Sequence, residues 1–211
     1  AGTDQPGKKE HPVLNFPMLS DPTQLDPHVS DGTEGQIFYQ IFDGLVRFDG
    51  SDQQKAIPDL AESWEISDDN LVYTFHLREA KFSDGSDFTA DDVVFSVDRL
   101  KTQPSTASKV LMIDHAEKVD DRTVKLICSY AYPNLILQLC SWPWRMVSKA
   151  AVEKYGDGTK EMVIGTGAYK LGDRVVGQSL TLVANENYWR EGEPVSPELV
   201  FTVFSDAGAS S

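Results

Sequence analysis

The residues from which chemistry would have to be assembled are few. Histidines stand at 11, 28, 76 and 115, and cysteines at 128 and 140. A zinc or transition-metal centre needs several such ligands drawn together, commonly through Cys-x-x-Cys or paired histidines at helical spacing. Neither pattern occurs, so no metal site is expected. Acidic pairs such as Asp91-Asp92 are sequence neighbours. Adjacent side chains on a helix point apart, so they do not make the facing carboxylates of a hydrolase. No nucleophile–base set and no glycine-rich phosphate loop accompanies them. The chain reads as a non-enzyme without a cofactor, and its polar residues are left to recognition.

The elements that would position these residues follow from periodicity. Val13–Met18 is a short strand, followed by a proline-rich loop from Asp21 to Pro27. Apolar residues at 37, 38, 41, 42 and 45 lay one stripe along a helix, with Gly44 marking its end. Ala56–Ser63 reads as a turn segment. The cluster Ser67-Asp68-Asp69-Asn70 then joins Trp64–Ile66 to Leu71–Leu77 as a hairpin. In that second strand Leu71, Tyr73, Phe75 and Leu77 share one face, which leaves His76 on the opposite surface. Thr89 caps a helix, with Asp92 three residues on, and Val93, Val94, Val97 and Leu100 form its apolar stripe. Asp120-Asp121 separates the strands of a second hairpin, the later one spanning Thr123–Ile127. Short helices are expected over Asn134–Cys140 and Lys149–Tyr155, and strands over Ala168–Leu171, Ser179–Ala184 and Leu199–Phe204. Cys128 closes one strand and Cys140 lies in the helix that returns from it. A disulfide between them in an oxidising compartment and two buried thiols are both open. The fold class is α+β, mixed helices and sheet hairpins.

Hydrophobic residues at 40% and charged residues at 25% place the chain among folded globular proteins. Its net charge of −14 repels phosphate backbones, which excludes nucleic acid as a partner. No apolar run approaches the ~20 residues of a transmembrane helix. The polar, Gly/Pro/Lys-rich stretch 1–12 reads as a flexible tether. Ser205-Asp206-Ala207 looks like a helix start one turn before Ser211, which suggests a piece of a longer protein.

Several motifs in order carry a resemblance. Ile57-Pro58-Asp59-Leu60-Ala61-Glu62-Ser63-Trp64 is followed by Tyr73-Thr74-Phe75-His76-Leu77-Arg78, Lys81-Phe82-Ser83-Asp84-Gly85 and Thr89-Ala90-Asp91-Asp92-Val93-Val94-Phe95-Ser96. Gly165-Thr166-Gly167-Ala168-Tyr169 and Asn185-Glu186-Asn187-Tyr188-Trp189 come later. In order and spacing this resembles the family 5 extracellular solute-binding proteins of ABC importers, which bind oligopeptides, dipeptides or nickel complexes. The motifs themselves read as fold residues, since aromatics at strand spacing are usually core.

The resemblance implies a lobe of the class II periplasmic-binding-protein type, with the extra subdomain of the peptide-binding class and the second lobe absent. Residues 13–48 and 165–211 would form the first lobe and 49–164 the subdomain. The first ligand wall would be the loop holding Ser30, Asp31, Gly32 and Thr33, with main-chain bonds to an extended peptide. Thr33 as an ordinary helix cap is the simpler reading of that loop. The second wall would be Ser141-Trp142-Pro143-Trp144-Arg145, with Trp144 as an apolar face and Arg145 gripping a carboxylate. Core packing for the tryptophans and a structural ion pair for Arg145 are the alternatives. Ser30 and Gly35 stand where the nickel branch uses aromatic and methionine contacts, which favours peptide over a nickel complex. The implied partners are a short peptide or similar zwitterion and the ABC permease subunits, with the protein a monomer. Its place would be the periplasm, or the outer face of the cytoplasmic membrane through a lipid anchor. A surface peptide-sensing receptor or adhesin on the same fold is the rival.

Overall fold

The computed structural model describes residues 12–30 and 34–204. The expected tether, except Pro12, and the expected helix start at Ser205 lie outside the described residues. So do Asp31, Gly32 and Thr33 of the first-wall loop.

Two four-stranded sheets and one separate hairpin organise the described residues. The first sheet joins Leu14–Met18 (β1) to the last three strands, Tyr169–Val175 (β8), Ser179–Ala184 (β9) and Glu198–Val203 (β10), in the order β1-β10-β9-β8. β1 runs parallel to β10, with Leu14 beside Leu199, and the other pairings are antiparallel. Gly35–Ile41 (α1) packs on this sheet through Ile37, Phe38 and Ile41.

The second sheet is built from Ala61–Ile66 (β4), Val72–Leu77 (β5), Ile113–Asp120 (β6) and Thr123–Cys128 (β7), in the order β4-β5-β7-β6 and antiparallel throughout. Alternation sets its inner face: Tyr73, Phe75, Val124 and Leu126 are wholly buried. Against that face lies Ala90–Thr102 (α2). Its Val93, Val97 and Leu100 are fully buried, each worth about 1.5–3 kcal/mol of apolar burial. Asp92 fixes its first turn by accepting the Thr89 N–H at 3.0 Å, and its other oxygen accepts the Lys149 N–H at 3.0 Å. That single carboxylate ties α2 to the helix Lys149–Tyr155.

Two expectations change, and one open alternative is decided. The first helix stops at Ile41, not at Leu45: Phe42 is extended, and Gly44 instead pairs with Arg145 in an isolated bridge. The segment read as a turn from Ala56 is strand, because Val46–Asp49 (β2) and Asp52–Pro58 (β3) form a hairpin and β4 follows at once. The disulfide left open is absent, with Cys128 and Cys140 both free and buried.

Two hydrophobic clusters meet within the fold. One centres on the second sheet and runs from Leu45 to Met146. The other centres on the first sheet and takes in Val147, Val152, Met162 and Val163. Gly165 and Gly167 make their junction close: a Cβ on Gly165 would sit 1.9 Å from the Ile41 carbonyl oxygen, and one on Gly167 2.5 Å from that of Gln40.

Candidate functional site

Leu25-Asp26-Pro27-His28 leads from the first strand toward α1. Asp26 is fully buried and serves as the hub of this loop. It accepts from both terminal nitrogens of Arg99, from the Gly158 N–H at 3.1 Å and from the His28 N–H at 3.0 Å. Burial alone would raise its pKa, but the Arg99 bonds and charge outweigh that and hold the carboxyl below its usual value. Ser30 is 3% exposed, and its hydroxyl donates to Glu34 Oε2 at 2.6 Å. The other Glu34 oxygen accepts the Thr23 N–H at 3.1 Å, closing the loop on itself. A crevice of about 460 Å³ opens here between the end of β1 and the start of α1, with Met18, Ser20, Glu34 and Ile37 on its walls.

Facing this loop is the turn Trp142–Trp144, a short 3-10 segment with Pro143 inside it. The two tryptophans go separate ways. Trp142 is half-buried, its ring 6.0 Å from Phe38 and capped by the Lys109 ammonium at 4.6 Å. A Cβ on Gly35 would lie 3.9 Å from the Trp142 Cβ. Trp144 is 1% exposed and belongs to the core cluster of the second sheet.

Arg145 is 2% exposed and committed within the chain. Its Nη2 donates to the Cys140 carbonyl at 2.9 Å, its Nη1 lies 4.0 Å from Asp59, and its guanidinium stands 5.0 Å over the Tyr39 ring. It borders a second crevice of about 420 Å³, beside Asp43, Arg47, Asp59 and Arg190. Asp43 accepts from the Trp189 indole at 2.9 Å, and Asp59 accepts from Arg190 at 3.1 Å and from the Gly44 N–H at 3.2 Å. Burial, then the neighbouring Asp43, pushes the Asp59 carboxyl up to about 7, against the pull of Arg145 and Arg190. Burial likewise raises Asp43.

The structure thus ties the loop to the Trp142–Arg145 turn through His28, whose Nε2 lies 2.8 Å from the Arg145 carbonyl oxygen. Trp144 and Arg145 do not present their side chains to the loop, because one fills the core and the other is spent on carbonyls and on Asp59. The half-buried pair at this turn is Trp142 with the Lys109 ammonium over its ring, which sequence reading does not single out. Trp142 lies in the same segment as Trp144, but only the 3-10 turn shows which tryptophan faces out. Lys109 ends a single-turn 3-10 helix, Ala107–Lys109, too short to leave a periodic signal. Among the described residues no group of three His, Cys, Asp or Glu could hold a metal ion, and no helix is long and apolar enough to cross a membrane.

Residues 55–211 match a family model described as bacterial extracellular solute-binding proteins, family 5, middle. The periplasmic oligopeptide-binding protein OppA of Haemophilus influenzae is 31% identical over 219 residues, covering 92% of this chain and 40% of its own length. The solved murein tripeptide-binding protein MppA of Escherichia coli superposes with a TM-score of 0.83 at 28% identity, over 93% of this chain and 42% of that one. NikA from Brucella suis, solved with Fe(III)-EDTA, superposes at 0.81 and 29% identity, over 92% of this chain and 40% of that one. The chain spans about two fifths of the length of the relatives it matches.

Proposed function

The chain belongs to the bacterial extracellular solute-binding proteins of family 5, and from that premise we propose that the protein it forms captures short peptides or similar small zwitterions for an ABC importer. The protein is a carrier, not an enzyme, and it works outside the cytoplasmic membrane, where it meets the permease subunits. One observation carries the reading. A loop with a buried base, in which Asp26 is held by Arg99 and His28 by the Arg145 carbonyl, meets the turn that carries a half-buried tryptophan under a lysine ammonium. A rigid aromatic face beside a cation suits a peptide end: the ring covers apolar surface, and the ammonium pairs with a carboxylate. Ser30 to Thr33 supply the opposing wall, a role supported by their resemblance to the extended, backbone-pairing stretch of peptide-binding members. Domain closure over the ligand would complete the site.

The test is isothermal titration of the full-length protein with a pool of di- to pentapeptides, repeated with Trp142→Ala. The reading expects binding by the wild type and affinity about tenfold weaker in the variant. Absence of binding by the wild type, or tight binding of a nickel chelate instead, would overturn it.

A further inference from the structure

His28 is wholly buried, and neither wall uses its side chain as a ligand contact. Its geometry is that of a strut. The Arg145 carbonyl, 2.8 Å from Nε2, can only accept, so Nε2 carries the proton. A neutral ring protonated there leaves Nδ1 bare, and Nδ1 is the nitrogen without a hydrogen-bond partner among the described residues. The main chain of His28 is held as firmly. Its N–H donates to Asp26 at 3.0 Å, and its carbonyl accepts from the hydroxyls of Ser105 at 2.9 Å and Thr106 at 3.3 Å. Burial, and then the Arg99 charge, push the imidazole pKa down to about 4 despite Asp26, so the ring stays neutral.

We propose that His28 is a positioning residue: its Nε2–H ties the main chain of Arg145, and with it the Trp142–Arg145 turn, to the loop that carries Ser30. This rests on the two walls assigned above. The consequence is preorganisation. A ligand that spans both walls need not order them on arrival, and removing the strut returns that ordering cost to the binding step.

Two measurements on the full-length protein test it. Long-range proton–nitrogen correlation spectra of histidine-labelled wild type should show His28 as the neutral Nε2–H tautomer from about pH 5 to 8. The Nδ1–H tautomer, or titration within that range, would sink the proposal without any ligand. Titration with trialanine should give affinity about tenfold weaker for His28→Phe. His28→Gln, whose amide N–H can reach the same carbonyl, should recover to within about threefold of wild type. Equal affinity of wild type and His28→Phe removes the strut and leaves the recognition reading standing. A wild type that binds neither trialanine nor the peptide pool removes both.

Discussion

Asp26 and Arg99 meet as a two-pronged ion pair, Nη1 to Oδ1 at 2.8 Å and Nη2 to Oδ2 at 2.5 Å, with both side chains out of water. The pair staples the loop below the candidate site to the last turn of α2, so the site inherits the rigidity of the second sheet's core. Arg99→Met keeps much of the bulk but leaves the Asp26 carboxylate buried and uncompensated. Breaking a buried pair from one side costs about 3–5 kcal/mol. Urea denaturation should show a loss of that size, and a loss under about 1 kcal/mol would mean that Asp26 finds water or protonates without strain.

Asp59 should give the stability a pH slope opposite to that of an ordinary salt-bridged carboxylate. Its folded pKa is raised to about 7 from 3.8, so between those values the folded state holds a proton that the unfolded chain has released. Stability from this group therefore falls as pH rises through that window and levels off above it. Thermal melts of wild type and Asp59→Asn across the window should converge at the acid end, with the variant gaining relative to wild type toward neutrality. A constant difference at every pH would show that the carboxyl does not titrate there.

The two tryptophans of the turn should separate cleanly on substitution. Trp144→Ala removes a fully buried ring, for which about 3–5 kcal/mol of stability is the usual cost. Trp142→Ala removes a half-buried ring beside Phe38 and Lys109 and should cost less stability but more peptide affinity. Denaturant melts and titration calorimetry on both variants check this, and the reverse ranking would reassign the wall.

Neither thiol should react in the folded protein. Cys128 and Cys140 are both buried, and burial pushes the Cys140 thiol up to about 11, which suppresses the nucleophilic thiolate. A chromogenic disulfide reagent should label no cysteine under native conditions and both after unfolding in urea. Rapid native labelling, or an intact mass short by two hydrogens, would contradict the free and buried pair.

The elements read correctly from sequence are those in which one face is buried. Tyr73, Phe75 and Leu77 alternate because one β5 face lies in the core that α2 helps to fill, and the Thr89/Asp92 cap marks the start of that helix. The β2–β3 hairpin escaped because Asp52, Gln53, Gln54 and Lys55 are all exposed, so no alternation is imposed on them. The apolar stripe overruns the first helix because Phe42 and Leu45 are buried like the helical residues, although Phe42 is extended and Leu45 lies in a bend. The site was legible as two segments and not as side chains. Whether Arg145 points outward depends on carbonyls at 139 and 140 and on Asp59, none of which spacing reveals.

The pairing of β1 with β10 has a consequence for how the chain matures. Leu14 leaves the ribosome long before Leu199, its neighbour in the sheet. The second sheet, by contrast, contains two local hairpins, β4–β5 and β6–β7, each of which can form early before β5 joins β7. During synthesis Phe16 therefore spends a long interval without the Phe201 ring that later stacks on it at 5.3 Å. Nascent chains of this protein should rely on chaperones over that interval, with the N-terminal strand the last to acquire protection from hydrogen exchange.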